Sequence, residues 1–273
     1  MCLVADSSRK TTRFKLETRN SKLEITKSEI RNPKPTILKS KILLFAIASS
    51  LLSGCYLEDG DLPFIGYEYF PTEIGRFIEY KVDSTWQDDP AGQLGFAEVH
   101  YFLRDLNESP FTDEEGRPAT RVERYSRLSP LSEWKIKDVW YRVKTAKLAE
   151  QNEENVEFIK HNFPVKDGKK WDGNSKNTLL SLQELYHQNT VPEVWEYEYK
   201  NVHEPYTING LTFDSTVTVL QMDRPTIFGL DMFSQEVYAK NVGLIHKQVR
   251  MYNIQGADTV GFIYEMVITD FGE

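Results

Sequence analysis

At 273 residues, with 40% hydrophobic and 27% charged side chains, the chain falls in the ordinary globular range and can bury a sizeable core in one domain. Charge is segregated: residues 1–54 hold 11 of the 33 basic and 4 of the 41 acidic side chains, so residues 55–273 carry 22 against 37, a net charge near −15. That field repels phosphate backbones and anionic headgroups, which argues against nucleic acid as a partner and against membrane adhesion through basic residues.

Residues 1–37 are polar and basic without apolar periodicity, and read either as a disordered arm or as an extension created by a misassigned start, with translation beginning at Leu38. Residues 38–54 have the features of a signal peptide. Lys39 and Lys41 precede the apolar run Ile42–Leu52, whose 11 residues are too few to span a bilayer as a permanent helix. Leu52-Ser53-Gly54-Cys55 then matches the bacterial lipobox, a branched apolar residue and two small residues before a cysteine whose sulfur accepts a diacylglycerol. Cleavage before Cys55 and acylation of the freed amine give a stable membrane anchor. No other cysteine follows, so the exported part has no disulfide. Residues 55–69 open with Tyr-Leu-Glu-Asp-Gly-Asp and read as an acidic tether. The same stretch resembles the acidic export signal of surface lipoproteins of the Bacteroidota, while a hydrated linker explains it equally well.

Residues 70–273 predict an antiparallel β domain, a single strongly curved sheet, half-barrel or sandwich. Ile78, Tyr80 and Val82 share one face; Ala97, Val99, Tyr101 and Leu103 alternate with Glu98 and His100; Val139, Tyr141 and Val143 alternate with Trp140 and Arg142. Trp195, Tyr197 and Tyr199 alternate with Glu196, Glu198 and Lys200, and Phe262, Tyr264, Met266 and Ile268 form a further face. Asn209-Gly210 predicts a tight hairpin turn. Ala146–Asn155 and Leu179–His187 are the weakest strand candidates and read as short helix or loop. Phe70-Pro71-x-x-x-Gly75 and Phe163-Pro164-x-x-x-Gly168 share their spacing, consistent with two similar halves or with two turns alike by chance.

The second of those segments, with Trp171-Asp-Gly-Asn174 and Tyr238-Ala-Lys240-Asn-Val-Gly243-Leu-Ile245, resembles a group of uncharacterised outer-membrane lipoproteins of the Bacteroidota. The resemblance covers most of the exported chain and implies lineage and location, with no activity attached. The curved sheet is also similar to the half-barrel of lipoprotein carriers, a likeness of fold that does not carry function.

Chemistry-bearing motifs are sparse. His100, His161, His187, His203 and His246 show no metal-ligand spacing and read as scattered surface or edge residues, and no nucleophile elbow or phosphate loop occurs. Asp59-Gly-Asp61 and Asp113-Glu-Glu-Gly116 lack the remaining ligands of a calcium loop. Glu196 and Glu198 lie on one strand face, roughly 6.7 Å apart, near the spacing of an inverting glycosidase, although a solvated strand produces the same pair. Trp140, Trp171 and Trp195 are candidate ligand-facing aromatics, with core packing as the alternative reading. Ser84, Ser215 and Thr259, each following an aspartate, resemble an O-glycosylation sequon. Together these point to a non-catalytic envelope protein without metal or cofactor, binding an apolar or glycan ligand or another envelope protein.

Overall fold

The computed structural model describes residues 64–87, 97–178, 195–227, 230–255 and 258–273; the lipobox residues Leu52, Ser53, Gly54 and Cys55 and the stretch 179–194 lie outside them. The strands are β1 (Phe77–Gln87), β2 (Ala97–Thr112), β3 (Pro118–Arg127), β4 (Lys135–Lys144), β5 (Leu148–Glu153) and β6 (Val156–Asn162), followed by β7 (Lys170–Asp172), β8 (Glu196–Ile208), β9 (Leu211–Ile227), β10 (Leu230–Ala239), β11 (Gly243–Gln255) and β12 (Asp258–Gly272). All pair antiparallel in one sheet, in the order β6-β5-β4-β3-β2-β1-β12-β11-β10-β9-β8-β7, which curls into a nearly closed barrel. A 3-10 turn at Tyr67–Tyr69 is the only helical element among the described residues.

Curling follows from the strands themselves. β2 runs 16 residues and β9 runs 17, and register shifts at Glu79/Tyr80, Asn107/Ser109, Arg124/Tyr125 and Val237/Tyr238 bend the ladder where one residue too many must be absorbed. Outer faces are tied by charged cross-strand pairs, such as Asp83 with His100 (2.5 Å) and Glu79 with Arg104 (2.9 Å). The edge strands β6 and β7 meet at a seam: Ile159 N–H donates to Gly173 O (2.9 Å), Trp171 Nε1 donates to Ile159 O (2.9 Å), and the Asn177 amide bonds Glu157 through both its backbone groups (2.9 and 2.8 Å).

The two halves are real. Each is a six-stranded up-and-down meander, β1–β6 and β7–β12, introduced by one Phe-Pro-x-x-x-Gly turn. Gly75 N–H donates to Asn107 O and Gly168 N–H to Tyr199 O, both at 2.8 Å, and the next carbonyl, of Arg76 or Lys169, accepts from that same residue. Both glycines hold φ near the left-handed region (94° and 74°). By this equivalence Trp171 matches Ile78, and both are buried. Asn209 and Gly210 form the anticipated hairpin, with φ of 50° and 78° as a type I′ turn requires.

Two expectations need correction. Leu148–Glu153, read as helix or loop, is strand β5. The tether ends earlier than Phe70: Phe64, Ile65, Tyr67 and Tyr69 pack into the main core, and Ile65 O accepts from Val165 N–H (2.9 Å), so this segment plugs one end of the barrel.

Candidate functional site

Antiparallel strands send alternate side chains into the lumen, and the lumen is not uniformly apolar. On β4 the inward residues are Trp140 and Arg142, whereas the apolar Val139 is half exposed. Arg142 is accommodated because Gln151 (2.8 Å) and Asn107 (3.0 Å) accept its hydrogen bonds.

A buried ionic cluster spans the barrel. Lys160 on β6 reaches across to Glu236 on β10 (2.9 Å) and also meets Glu153 on β5 (2.8 Å). Lys247, the cross-strand partner of Glu236, lies 3.2 Å from it and 3.8 Å from Glu153. The Tyr238 hydroxyl donates to the second Glu236 oxygen (2.6 Å). Burial alone would push both carboxyls upward, but Lys160 and Lys247 outweigh it, holding Glu236 at about 2 and Glu153 lower still. Nearby, Arg124 grips Asp105 with two 2.7 Å bonds and lays its guanidinium 3.5 Å above the Trp140 ring.

Above this floor the lumen keeps a cavity of about 200 Å³, walled by Tyr101, Trp140, Phe158, Tyr197, Phe262 and Tyr264 and edged by Lys137 and Glu154. The last two are exposed, so the cavity reaches the surface at the β5–β6 turn. Trp86 and Val99, both half exposed, continue the inward face of β1 and β2 toward that mouth. Trp140 is 95% buried, being 5% exposed, yet its Nε1 has no hydrogen-bond partner. A roomier hollow of about 420 Å³ beside Asn201, Glu204 and Thr216 is polar and lies along the outer edge of β8 and β9, with Tyr206 as its one aromatic lining residue.

The sequence-level candidates are distributed unevenly over this frame. Trp140 is in the cavity wall; Trp171 and Trp195 pack the core, Trp171 with its indole N–H spent on Ile159 O. Glu196 and Glu198 share a shallow outer hollow, and each is taken by its own lysine, Lys170 and Lys200, at 2.6 Å. The histidines are not all at the surface: His161 is enclosed by Phe70, Phe163, Tyr199 and Tyr238, and His246 sits buried between Tyr206 (2.8 Å) and Glu265 (2.9 Å). His203, at φ 68°, and Ser215 converge on the Tyr69 hydroxyl (3.2 and 3.0 Å), pinning the plug to β8 and β9. Ser84 donates to Ile263 O (3.3 Å) in the middle of a strand paired on both sides; Thr259 falls in β12, its side chain outside the described residues, as is His187. Among the described residues no His/Cys/Asp/Glu group is placed to hold a metal ion.

Lys160, Glu236, Lys247, Arg124 and Asp105 were not singled out by motif. Their signal was positional, a charge at the inward register of strands whose other inward residues are apolar, as in Ile245-His-Lys247-Gln-Val249. No protein-family model, curated protein or solved structure matches this chain.

Proposed function

We propose that this chain is an exported envelope lipoprotein of the Bacteroidota type, cut before Cys55 and held at the outer membrane by acyl chains on that residue, whose barrel binds a small ligand without transforming it. The observation supporting binding is the aromatic-walled cavity of about 200 Å³, which stays open in a barrel otherwise filled by side chains. Protein interiors seldom leave a void of that size, and one lined by a few placed polar groups is the usual form of a small-molecule site. The anchor rests on Leu52-Ser53-Gly54-Cys55.

A second reading, a protein-binding subunit of an outer-membrane assembly, is favoured by the β3–β4 hairpin, where Leu128 is 80% and Leu131 98% exposed, beside the half-exposed Ile136. Isolated exposed leucines are common, but their concentration at one tip suits a docking contact.

Both readings require the anchor. In a host that processes lipoproteins, the natural precursor is expected in the membrane fraction and Cys55→Ala in the soluble one. Equal partition of the two removes the lipoprotein assignment. If both stay soluble-competent in folding, a pull-down from detergent extract separates the readings: an assembly subunit brings its partner down, a ligand-binding barrel does not.

A further inference from the structure

The cavity's donor and acceptor inventory selects among ligands. Of its two lining carboxylates Glu153 accepts through Oε1 from Gln151 and Lys160 (2.8 Å each) and Glu154 stands exposed at the mouth; behind the wall Glu236 takes Lys160, Lys247 and Tyr238, and Asp105 takes two bonds from Arg124. The cations Arg124, Lys160 and Lys247 line the same space; Arg124 gives Nε and one Nη2 hydrogen to Asp105, and Lys247 meets its carboxylates at 3.2 and 3.8 Å, which leaves ammonium hydrogens for a further acceptor.

The connected network of the lumen also carries four cations, Arg124, Arg142, Lys160 and Lys247, against three carboxylates, Asp105, Glu153 and Glu236. Arg124 and Lys247 repel each other, and a buried excess of one positive charge is costly unless an anion joins it. An anion offsets that excess, which a neutral sugar does not.

Resting on the cavity-binding reading above, we infer that the cavity takes a small amphiphile with a single negative charge: an oxyanion head held by Arg124 and Lys247, and an apolar body against the aromatic wall that includes Trp140. The space sets the body's size. A cavity of about 150 Å³ holds one benzene ring, so about 200 Å³ accepts a ring with its carboxylate or a short acyl chain.

The test is calorimetric titration of the full chain carrying Cys55→Ala with benzoate, hexanoate, benzyl alcohol, glucose and inorganic phosphate. Benzoate or hexanoate should bind at least tenfold more tightly than benzyl alcohol, and phosphate, lacking an apolar body, should bind weakly. Lys247→Met should weaken the acids about tenfold and benzyl alcohol far less; if it fails to fold, the ligand series on the unsubstituted lumen decides. Benzyl alcohol or glucose binding as tightly as the acids overturns the anionic assignment and leaves a neutral-ligand cavity, and phosphate equalling benzoate overturns the amphiphile. Failure of all five ligands overturns the inference together with the cavity-binding reading.

Discussion

Replacing Lys160 with Met is expected to destabilise the barrel by about 3–5 kcal/mol, measured by urea denaturation at neutral pH. Methionine fills nearly the same volume, so the loss is electrostatic. Lys160 is the cation that meets both Glu153 and Glu236 within 3 Å, and without it two deeply buried carboxylates share Lys247, which is 3.2 and 3.8 Å away. The cost is that of stranding a charge, not the worth of the pair. Adding Glu236→Gln to Lys160→Met should therefore restore at least half of the loss, because the surviving Glu153 then keeps Lys247 to itself. If the two substitutions instead add, the ions are not coupled as the geometry describes.

Acid should weaken the fold well before carboxylates ordinarily titrate. His161 is fully enclosed, with Nδ1 3.2 Å from the Tyr199 hydroxyl and Nε2 unpartnered, and burial pushes its pKa down to about 3 from an ordinary 6.5. Between those values the unfolded chain binds a proton that the folded chain refuses. Stability is therefore full above about pH 6.5 and falls as pH drops toward 3, by about 1.4 kcal/mol per pH unit from this one group. Glu236 and Glu153 add losses in the same direction, but only below about pH 4.5, where their unfolded forms protonate. Denaturation at pH 7.5, 6.5 and 5.0 should show a loss of about 2 kcal/mol between the last two. In His161→Phe that slope should vanish, at some cost in absolute stability, since the Tyr199 hydroxyl keeps only the Asn162 backbone as partner. An unchanged slope in the variant assigns the acid sensitivity elsewhere.

The strands were legible because most alternate. Tyr80 and Val82, or Tyr197 and Tyr199, are large and buried on one face with charge on the other, and Asn209-Gly210 adopts the only turn its φ values allow. The recurrence of Phe-Pro-x-x-x-Gly, slight as a sequence match, marks the start of each six-stranded meander.

What periodicity leaves open is which face meets the lumen. β5 escaped notice because its inward Gln151 and Glu153 are polar, erasing the contrast that identifies a strand. On β4 alternation left the inward face open, since Val139 and Tyr141 are more apolar than Arg142, whose inward position makes sense only beside Asn107 and Gln151 from two other strands. Phe64, Ile65 and Tyr67 were assigned to the tether on the acidity of residues 58–61, although their aromatic character is what lets them plug the barrel. The ionic cluster is likewise a property of closure: Lys160 and Glu236 are 76 residues apart and on non-neighbouring strands, joined only because the sheet curls.

The most direct test of a ligand-binding lumen is the indole N–H spectrum of the nitrogen-15-labelled chain, with Trp140 assigned by its disappearance in Trp140→Phe. On titration with benzoate, the Trp140 signal should move and saturate as the ligand packs against its ring in the cavity wall, while the signal of Trp171, bonded to Ile159 O, stays in place. A Trp140 signal that remains fixed with benzoate, benzyl alcohol and glucose alike would contradict the account, leaving a barrel whose cavity admits nothing.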